Sequence, residues 1–226
     1  MRWPLIPTAL TAALAVALPV ALAVALSAPA GATNAFDREI LEFVRDHRSN
    51  DLDHLMKAAS DEWSRQNMVL AFMAVTAWGD DRSFLAAQEC IKAVALSEGV
   101  VTPLKYAVDR RRPTGTHSRS NSSFPSSHAA SAFAAASTIG HIYSDFKWPA
   151  YAVASLVACS RAYNQRHYAT DVLAGAAIGV LAAKTSRAYL DWLKIERRDT
   201  AGRLPLRLTV DSDGGHSGRI YLSRRI

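Results

Sequence analysis

The chain has 226 residues, of which 50% are hydrophobic and 20% charged, with 11 Gly, 9 Pro and a formal net charge of +6. That composition excludes collagen-like, low-complexity and disordered chains, and the length suits one well-buried domain rather than two large ones. Two cysteines are too few for a disulfide-framework mini-protein.

The N-terminus is set apart from the rest. From Trp3 to Phe36 no side chain is charged, and Leu5 to Ala28 is almost continuously Ala, Leu and Val. Arg2 precedes this run, and Ala28-Pro29-Ala30 and Ala30-Gly31-Ala32 give the small-x-small pattern of a cleavage site. Residues 1–32 therefore have the form of a secretory signal peptide cut after Ala32. The run is also long enough to act as an uncleaved membrane anchor. In both cases the remainder is expected to be exported, either periplasmic or secreted, or else membrane-anchored. Cys90 and Cys159 then either pair or stay as two buried free thiols.

Charge is unevenly distributed in the exported part. Residues 33–100 carry 7 Lys/Arg against 12 Asp/Glu, and residues 101–226 carry 18 against 8. A basic half points to an anionic partner. For an exported chain the expectation is a phosphorylated small molecule or an anionic lipid, not nucleic acid.

The remaining elements follow in order. Phe36 to Arg48 places Phe36, Ile40, Phe43 and Val44 on one helical face. Leu52 to Ala59 reads as a second short helix, and Met68 to Trp78 as an apolar segment ended by Gly79-Asp80-Asp81. Ser83 to Tyr106 is a longer helix that Gly99 and Pro103 are expected to break or kink. Residues 110–127 are rich in Arg, Ser and Pro and read as a loop. Ser127 to Ile142, Trp148 to Tyr163 and Asp171 to Trp192 are three further helices. The longest clean apolar runs among them, Trp148–Ser160 and Val172–Ala183, fall short of a spanning helix and suit a buried bundle core. Gly175 and Gly179 form a G-x-x-x-G, a pattern that lets helices approach closely. Residues 203–226 alternate on both sides of Asp211-Ser212-Asp213-Gly214-Gly215 and read as a hairpin or a basic tail that contacts a membrane surface. The expected organisation is an all-α bundle over residues 33–200, with residues 201–226 as a short β-hairpin or tail.

Three clusters carry chemistry. The first is Lys105-x6-Arg112-Pro113, with Arg110 and Arg111 beside it. The second is Pro125-Ser126-Ser127-His128 at a helix start. The third is Ser160-Arg161-x5-His167-x3-Asp171. Lys105 and Arg112 are two helical turns apart and can share a face. With Arg161 they make three cations that need an anion between them, and the arginine fork suits phosphate oxygens. Ser126, Ser127 and His128 sit at a helix N-terminus, where backbone N–H groups and the dipole favour phosphate. On a helix Asp171 can reach His167 and raise its basicity. Two histidines beside an anion cradle supply a nucleophile and a general acid. Metal ligation by His128, His167 and Asp171 is disfavoured because the cations would repel a divalent ion.

Together the clusters resemble the signature of the type-2 phosphatidic acid phosphatase superfamily: K-x6-R-P, then P-S-G-H, then S-R-x5-H-x3-D. Every fixed position between residues 105 and 171 matches except Ser127, which stands where the family usually has Gly. The resemblance implies an all-helical fold of the acid phosphatase and vanadium haloperoxidase type, and phosphoester hydrolysis without a metal or other cofactor. It assigns His167 as the nucleophile, Asp171 as its orienter and His128 as the acid for the leaving oxygen. Lys105, Arg112, Arg161, Ser126 and the backbone around Ser127 would hold the phosphoryl group. Serine at 127 predicts retained activity, unless the position needs positive φ, where serine is strained. The main expectation is an exported soluble phosphatase. The alternatives are an integral-membrane lipid phosphatase acting on phosphatidic acid, a prenyl diphosphate or lipid A; a haloperoxidase holding vanadate; and a non-catalytic anion- or lipid-binding protein. His117, in the loop, is a candidate substrate contact.

Overall fold

A computed structural model describes residues 33–62, 79–116, 118–203, 206–211 and 219–224. The expected signal segment at 1–32, the apolar segment at 68–78 and His117 lie outside the described residues. The helices are α1 (Ala35–Asp46), α2 (Asn50–Glu62), α3 (Asp81–Val108), α4 (Ser127–Ile142), α5 (Lys147–Tyr163) and α6 (Ala169–Arg203), with single 3₁₀ turns at Arg119–Asn121 and Ser144–Phe146. Two compact units divide the chain, one ending at Ala188 and the other beginning at Tyr189.

The helix starts follow from local chemistry. The side chain of Asn34 accepts the Asp37 N–H at 2.7 Å, Asp80 accepts that of Ser83 at 2.9 Å, and Ser126 accepts that of Ala129 at 3.4 Å. Each oxygen takes up one first-turn donor that the helix leaves unsatisfied. α3 runs unbroken through Gly99 and Pro103, contrary to expectation. Pro103 has no N–H for the Gly99 carbonyl, but packing overrides that loss. Val101 and Leu104 are buried against Ala130 of α4 and Ile178 of α6. The helix ends where Asp109 turns left-handed at φ 48°.

α4 is the centre of the bundle. Ala129, Ala130, Ala132, Ala134, Ala135 and Ala136 are all buried on it. Ala134 packs with Ala93 and Val94 of α3 and Ala183 of α6, while Ala132 and Ala136 pack with Ala154 and Val157 of α5. A helix covered on every side needs small side chains all round, which is what its Ala-rich sequence supplies. The two glycines of the G-x-x-x-G on α6 meet this helix. A β-carbon at Gly175 would lie 2.4 Å from the Ser126 carbonyl oxygen, and one at Gly179 would lie 2.2 Å from that of Ala130. The motif thus sets the depth at which the start of α4 sits.

α1 departs from its expected orientation. Phe36 and Phe43 are 47% and 58% exposed, whereas Asp37 is fully buried. Hydrogen bonds and an ion pair to Asp37, described below, fix the helix by its polar start instead of its apolar face. Trp148 is exposed at the start of α5, with the Lys147 ammonium 5.2 Å from its ring centre. Cys90 is buried, Cys159 is exposed, and neither is bridged. Burial pushes the Cys90 thiol up to about 12. In the second unit, Leu206–Asp211 and Arg219–Arg224 pair antiparallel, Leu206 opposite Arg224 and Asp211 opposite Arg219. No helix among the described residues is long and apolar enough to cross a membrane.

Candidate active site

The three clusters converge on one cleft of about 1020 Å³, lined by Lys105, Arg112, Arg161, Ser127, His128 and His167. They reach it by different routes. Lys105 lies in the last turn of α3, but Arg112 is not on that helix. The left-handed Asp109 ends the helix, and Arg112 reaches the cleft from the loop that follows. The expected shared helical face is replaced by a turn.

Neutral acceptors hold the cations. Lys105 Nζ donates to the Ser122 carbonyl at 2.7 Å. Arg112 donates from Nε to the Asn121 carbonyl at 3.0 Å and from Nη2 to Asn121 Oδ1 at 2.6 Å. Arg161 donates from Nη1 to the Ser60 hydroxyl. Its buried Nε has no hydrogen-bond partner. Burial, and then the charge of Arg112, bring Lys105 down to about 8 and Arg161 down to about 10. Burial and the nearby Arg166 guanidinium lower Arg112 as well. Three cations with depressed pKa values and a donor left unsatisfied make a site short of negative charge.

The Ser-rich loop is the inner wall of this site. Ser122, Ser123 and Ser126 are fully buried, and so is Pro125. The Ser122 hydroxyl accepts the Arg110 N–H at 2.9 Å, and the Ser123 N–H donates to the Arg110 carbonyl at 2.8 Å. The Ser126 N–H donates to the Asp171 carbonyl at 3.0 Å, tying the start of α4 to the start of α6. Ser126 caps α4, Ser127 takes its first helical position and His128 its second. The non-glycine residues with positive φ among those described are Asp109 and Gln165. Ser127 is therefore an ordinary helical residue, and the strain foreseen for a serine at this position does not arise.

His167 is 1% exposed and precedes α6, in the turn after α5. The expected helical pairing of His167 with Asp171 does not form. His167 Nδ1 instead lies 2.6 Å from the Ser123 carbonyl. A carbonyl only accepts, so Nδ1 carries the proton and Nε2 keeps the lone pair. Burial, followed by Lys105, Arg112 and Arg161, holds the imidazole well below its usual pKa. Asp171 acts one residue away. Its Oδ2 accepts the Ser123 hydroxyl and, at 2.8 Å, the Tyr168 N–H, and its Oδ1 accepts Arg110 Nη1 at 2.6 Å. The Tyr168 contact is the reciprocal half of a capping box at the start of α6. Asp171 thus braces Ser123, and Ser123 orients the ring. Burial pushes the Asp171 carboxyl up, against the pull of Arg110, Ser123 and Tyr168.

Several participants are outside the three clusters. Asp37, Ser60, Asn121, Ser122, Ser123 and Thr170 hold the functional groups, and Arg110 is ion-paired inside the protein instead of facing an anion. Burial works against the Arg110 charge, but Asp171 and Asp37 outweigh it and raise its pKa. The signal for Asp37 was weak: one acid two residues into an amphipathic helix looks like a first-turn charge. Ser122 and Ser123 look like loop polarity.

The sequence model of the PAP2 superfamily matches residues 89–194. A lipid A 1-phosphatase of Porphyromonas gingivalis is 44% identical over 93 residues, covering 39% of this chain and 20% of that protein. The chain thus spans about a fifth of the length of that relative. Among solved structures, LpxE of Aquifex aeolicus aligns with a TM-score of 0.59 at 23% identity, over 69% of this chain and 97% of that one. The first transmembrane PAP2 type phosphatidylglycerolphosphate phosphatase from Bacillus subtilis aligns with a TM-score of 0.61 at 20% identity, over 80% and 96%. These structures share the helical fold. The stretch that the PAP2 superfamily model matches, residues 89–194, holds all three clusters.

Proposed function

We propose that this protein is a phosphatase that hydrolyses a lipid phosphomonoester through a phosphohistidine at His167, with no metal in the reaction. The observation that carries the reading is the Ser123 carbonyl against His167 Nδ1. It leaves Nε2 as the nucleophilic nitrogen in a cleft walled by three cations. The depressed pKa keeps that nitrogen unprotonated at neutral pH. Lys105, Arg112, Arg161 and the N-terminus of α4 bind the phosphoryl oxygens and take up charge in the transition state. Nε2 attacks phosphorus, the P–O ester bond breaks, and His128 gives its proton to the leaving oxygen. Water, deprotonated by His128, then attacks the phosphohistidine. The P–N bond breaks, inorganic phosphate leaves, and both histidines regain their starting states.

The lipid substrate is supported by the similarity to a lipid A 1-phosphatase and to a phosphatidylglycerolphosphate phosphatase fold. A water-soluble phosphomonoester is the second reading, supported by the polar lining of the cleft, whose walls include Arg48, Asp53, Lys57 and Asn164. An exported, membrane-facing location goes with either substrate. The test is phosphate release by the full chain in EDTA from phosphatidic acid and lipid A 1-phosphate in mixed micelles, and from p-nitrophenyl phosphate. The expected result is EDTA-resistant release from a lipid that His167→Ala abolishes. Release from p-nitrophenyl phosphate alone would favour the second reading. Activity that survives in His167→Ala, or is lost in EDTA and restored by a divalent cation, would overturn the mechanism. Recovery of the chain without detergent would separate a peripheral protein from an embedded one.

A further inference from the structure

Asp37 is a carboxylate buried far from any cluster in the sequence, yet its bonds lead back to the nucleophile. Its Oδ2 accepts Arg110 Nη2 at 2.7 Å and the Thr170 hydroxyl at 2.8 Å, and its Oδ1 accepts the Thr170 N–H at 3.0 Å. Arg110 uses its other nitrogen, Nη1, on Asp171 at 2.6 Å and on the Thr170 hydroxyl oxygen at 2.9 Å. Asp171 holds the Ser123 hydroxyl, and the Ser123 carbonyl holds His167 Nδ1. The guanidinium also lies 4.1 Å over the Tyr168 ring.

We propose that Asp37 is a positioning residue for catalysis: it fixes the arm of Arg110 that Asp171 does not hold, so that Asp171, Ser123 and the His167 ring are held in one orientation. The inference rests on the reading of His167 as nucleophile. The geometric reason lies in the arginine fork. With a carboxylate on each terminal nitrogen, the planar group cannot rotate about its axis. With one carboxylate gone, a single arm on Asp171 leaves that rotation open, and an unpaired buried charge draws Asp171 or water towards it. Either shift moves the Ser123 carbonyl, and with it the tautomer and aim of the imidazole. Asp37 also explains why α1 docks by its polar start while Phe36 and Phe43 stay exposed. The helix is fixed at the residue that completes the site.

The test uses the full chain with Asp37→Asn, which keeps shape and one acceptor but removes the charge. The assay is phosphate release from lipid A 1-phosphate or phosphatidic acid micelles, whichever the wild type turns over. The expected result is a kcat lower by about tenfold to a hundredfold, the range of a misplacement of about 1 Å, with KM unchanged because Lys105, Arg112 and Arg161 are untouched. Thr170→Val, which removes one bond to Asp37 and one acceptor of Arg110 Nη1 but no charge, should lower kcat by a few-fold in the same direction, and it carries the test if Asp37→Asn does not fold. Asn34→Ala weakens only the cap of α1 and should leave kcat unchanged. A fall in kcat equal to that of Asp37→Asn would reduce Asp37 to a helix anchor and overturn the inference. Nitrogen-15 spectra of labelled histidine give a readout independent of turnover: His167 should hold its proton on Nδ1 in the wild type and lose that preference in Asp37→Asn. Wild-type kcat and an unchanged tautomer in Asp37→Asn and Thr170→Val, with His167→Ala inactive, would refute the role of Asp37 and leave the nucleophile standing. Activity in His167→Ala would refute the nucleophile, while the tautomer would still decide whether Asp37 governs the ring.

Discussion

Replacing Gly175 with alanine tests how the fold places the site. A methyl there would sit 2.4 Å from the Ser126 carbonyl oxygen and 3.2 Å from Ala129 Cβ, against 3.4–4 Å for ordinary contact. The obstacle is backbone, so α4 or α6 must move by about 1 Å, and such overpacking typically costs about 1–3 kcal/mol. Alanine also gains about 1 kcal/mol over glycine in a helix interior. The net expectation is a loss of up to about 2 kcal/mol, which lowers Tm by up to about 8 °C in a domain of this size. Gly99 is the control. It also lies inside a helix, but a methyl there meets nothing within 4 Å, so Gly99→Ala should stabilise by about 0.5–1 kcal/mol. Gly175 faces the cap of α4, whose first turn carries Ser127 and His128, so a displacement of about 1 Å should lower kcat/KM by about a hundredfold. Calorimetry and phosphate release on the two variants decide the matter. If Gly175→Ala matches Gly99→Ala in both stability and kcat/KM, the close approach of α6 does not position the site.

Other outcomes follow from the electrostatics. Lys105 titrates near 8 in the folded protein, so kcat/KM should fall as pH rises past about 8, and Lys105→Arg should move that limb to higher pH. Its effect on stability has the opposite direction: between about 8 and the ordinary lysine value of 10.5 the unfolded chain binds more protons, so this residue makes stability rise with pH across that window. Inorganic phosphate at about a hundred times its Kd should add about 2.7 kcal/mol, or about 5–10 °C in Tm. Arg161→Gln, which removes the charge behind the unsatisfied Nε, should lose most of that shift; an equal shift in both proteins would count against the anion cradle. Ser127→Gly should change kcat by less than about threefold, because Ser127 occupies an ordinary helical conformation; a large gain in rate would mean that serine obstructs the phosphoryl group.

Much of this was legible in the sequence because the determinants are local. The boundaries of α4 follow from a serine cap and an alanine run, and the expected span, Ser127 to Ile142, is the observed one. Cluster spacing brought Lys105, Arg112, Ser127, His128, Arg161 and His167 to one cleft. What failed depended on distant partners. Pro103 reads as a break, but packing of Val101 and Leu104 against Ala130 and Ile178 carries the helix through it. His167 and Asp171 read as a helical pair, yet the helix begins between them, at Ala169, and the ring turns to a carbonyl from another loop. Asp37 reads as a surface acid because its partners, Arg110 and Thr170, are more than seventy positions away. A single sequence does not display such a pairing.

The central claim is that His167 attacks through Nε2 because Ser123 occupies Nδ1. The measurement that tests it most directly is the chemistry of the trapped intermediate. The full chain would be mixed with a phosphorus-32-labelled lipid phosphomonoester, quenched in base, digested and sequenced by mass spectrometry, with the phosphohistidine isomer identified by chromatography. The account predicts an acid-labile phosphate on the peptide containing His167, attached at Nε2 and absent from His167→Ala. A phosphate at Nδ1 of His167, or on His128, would contradict it.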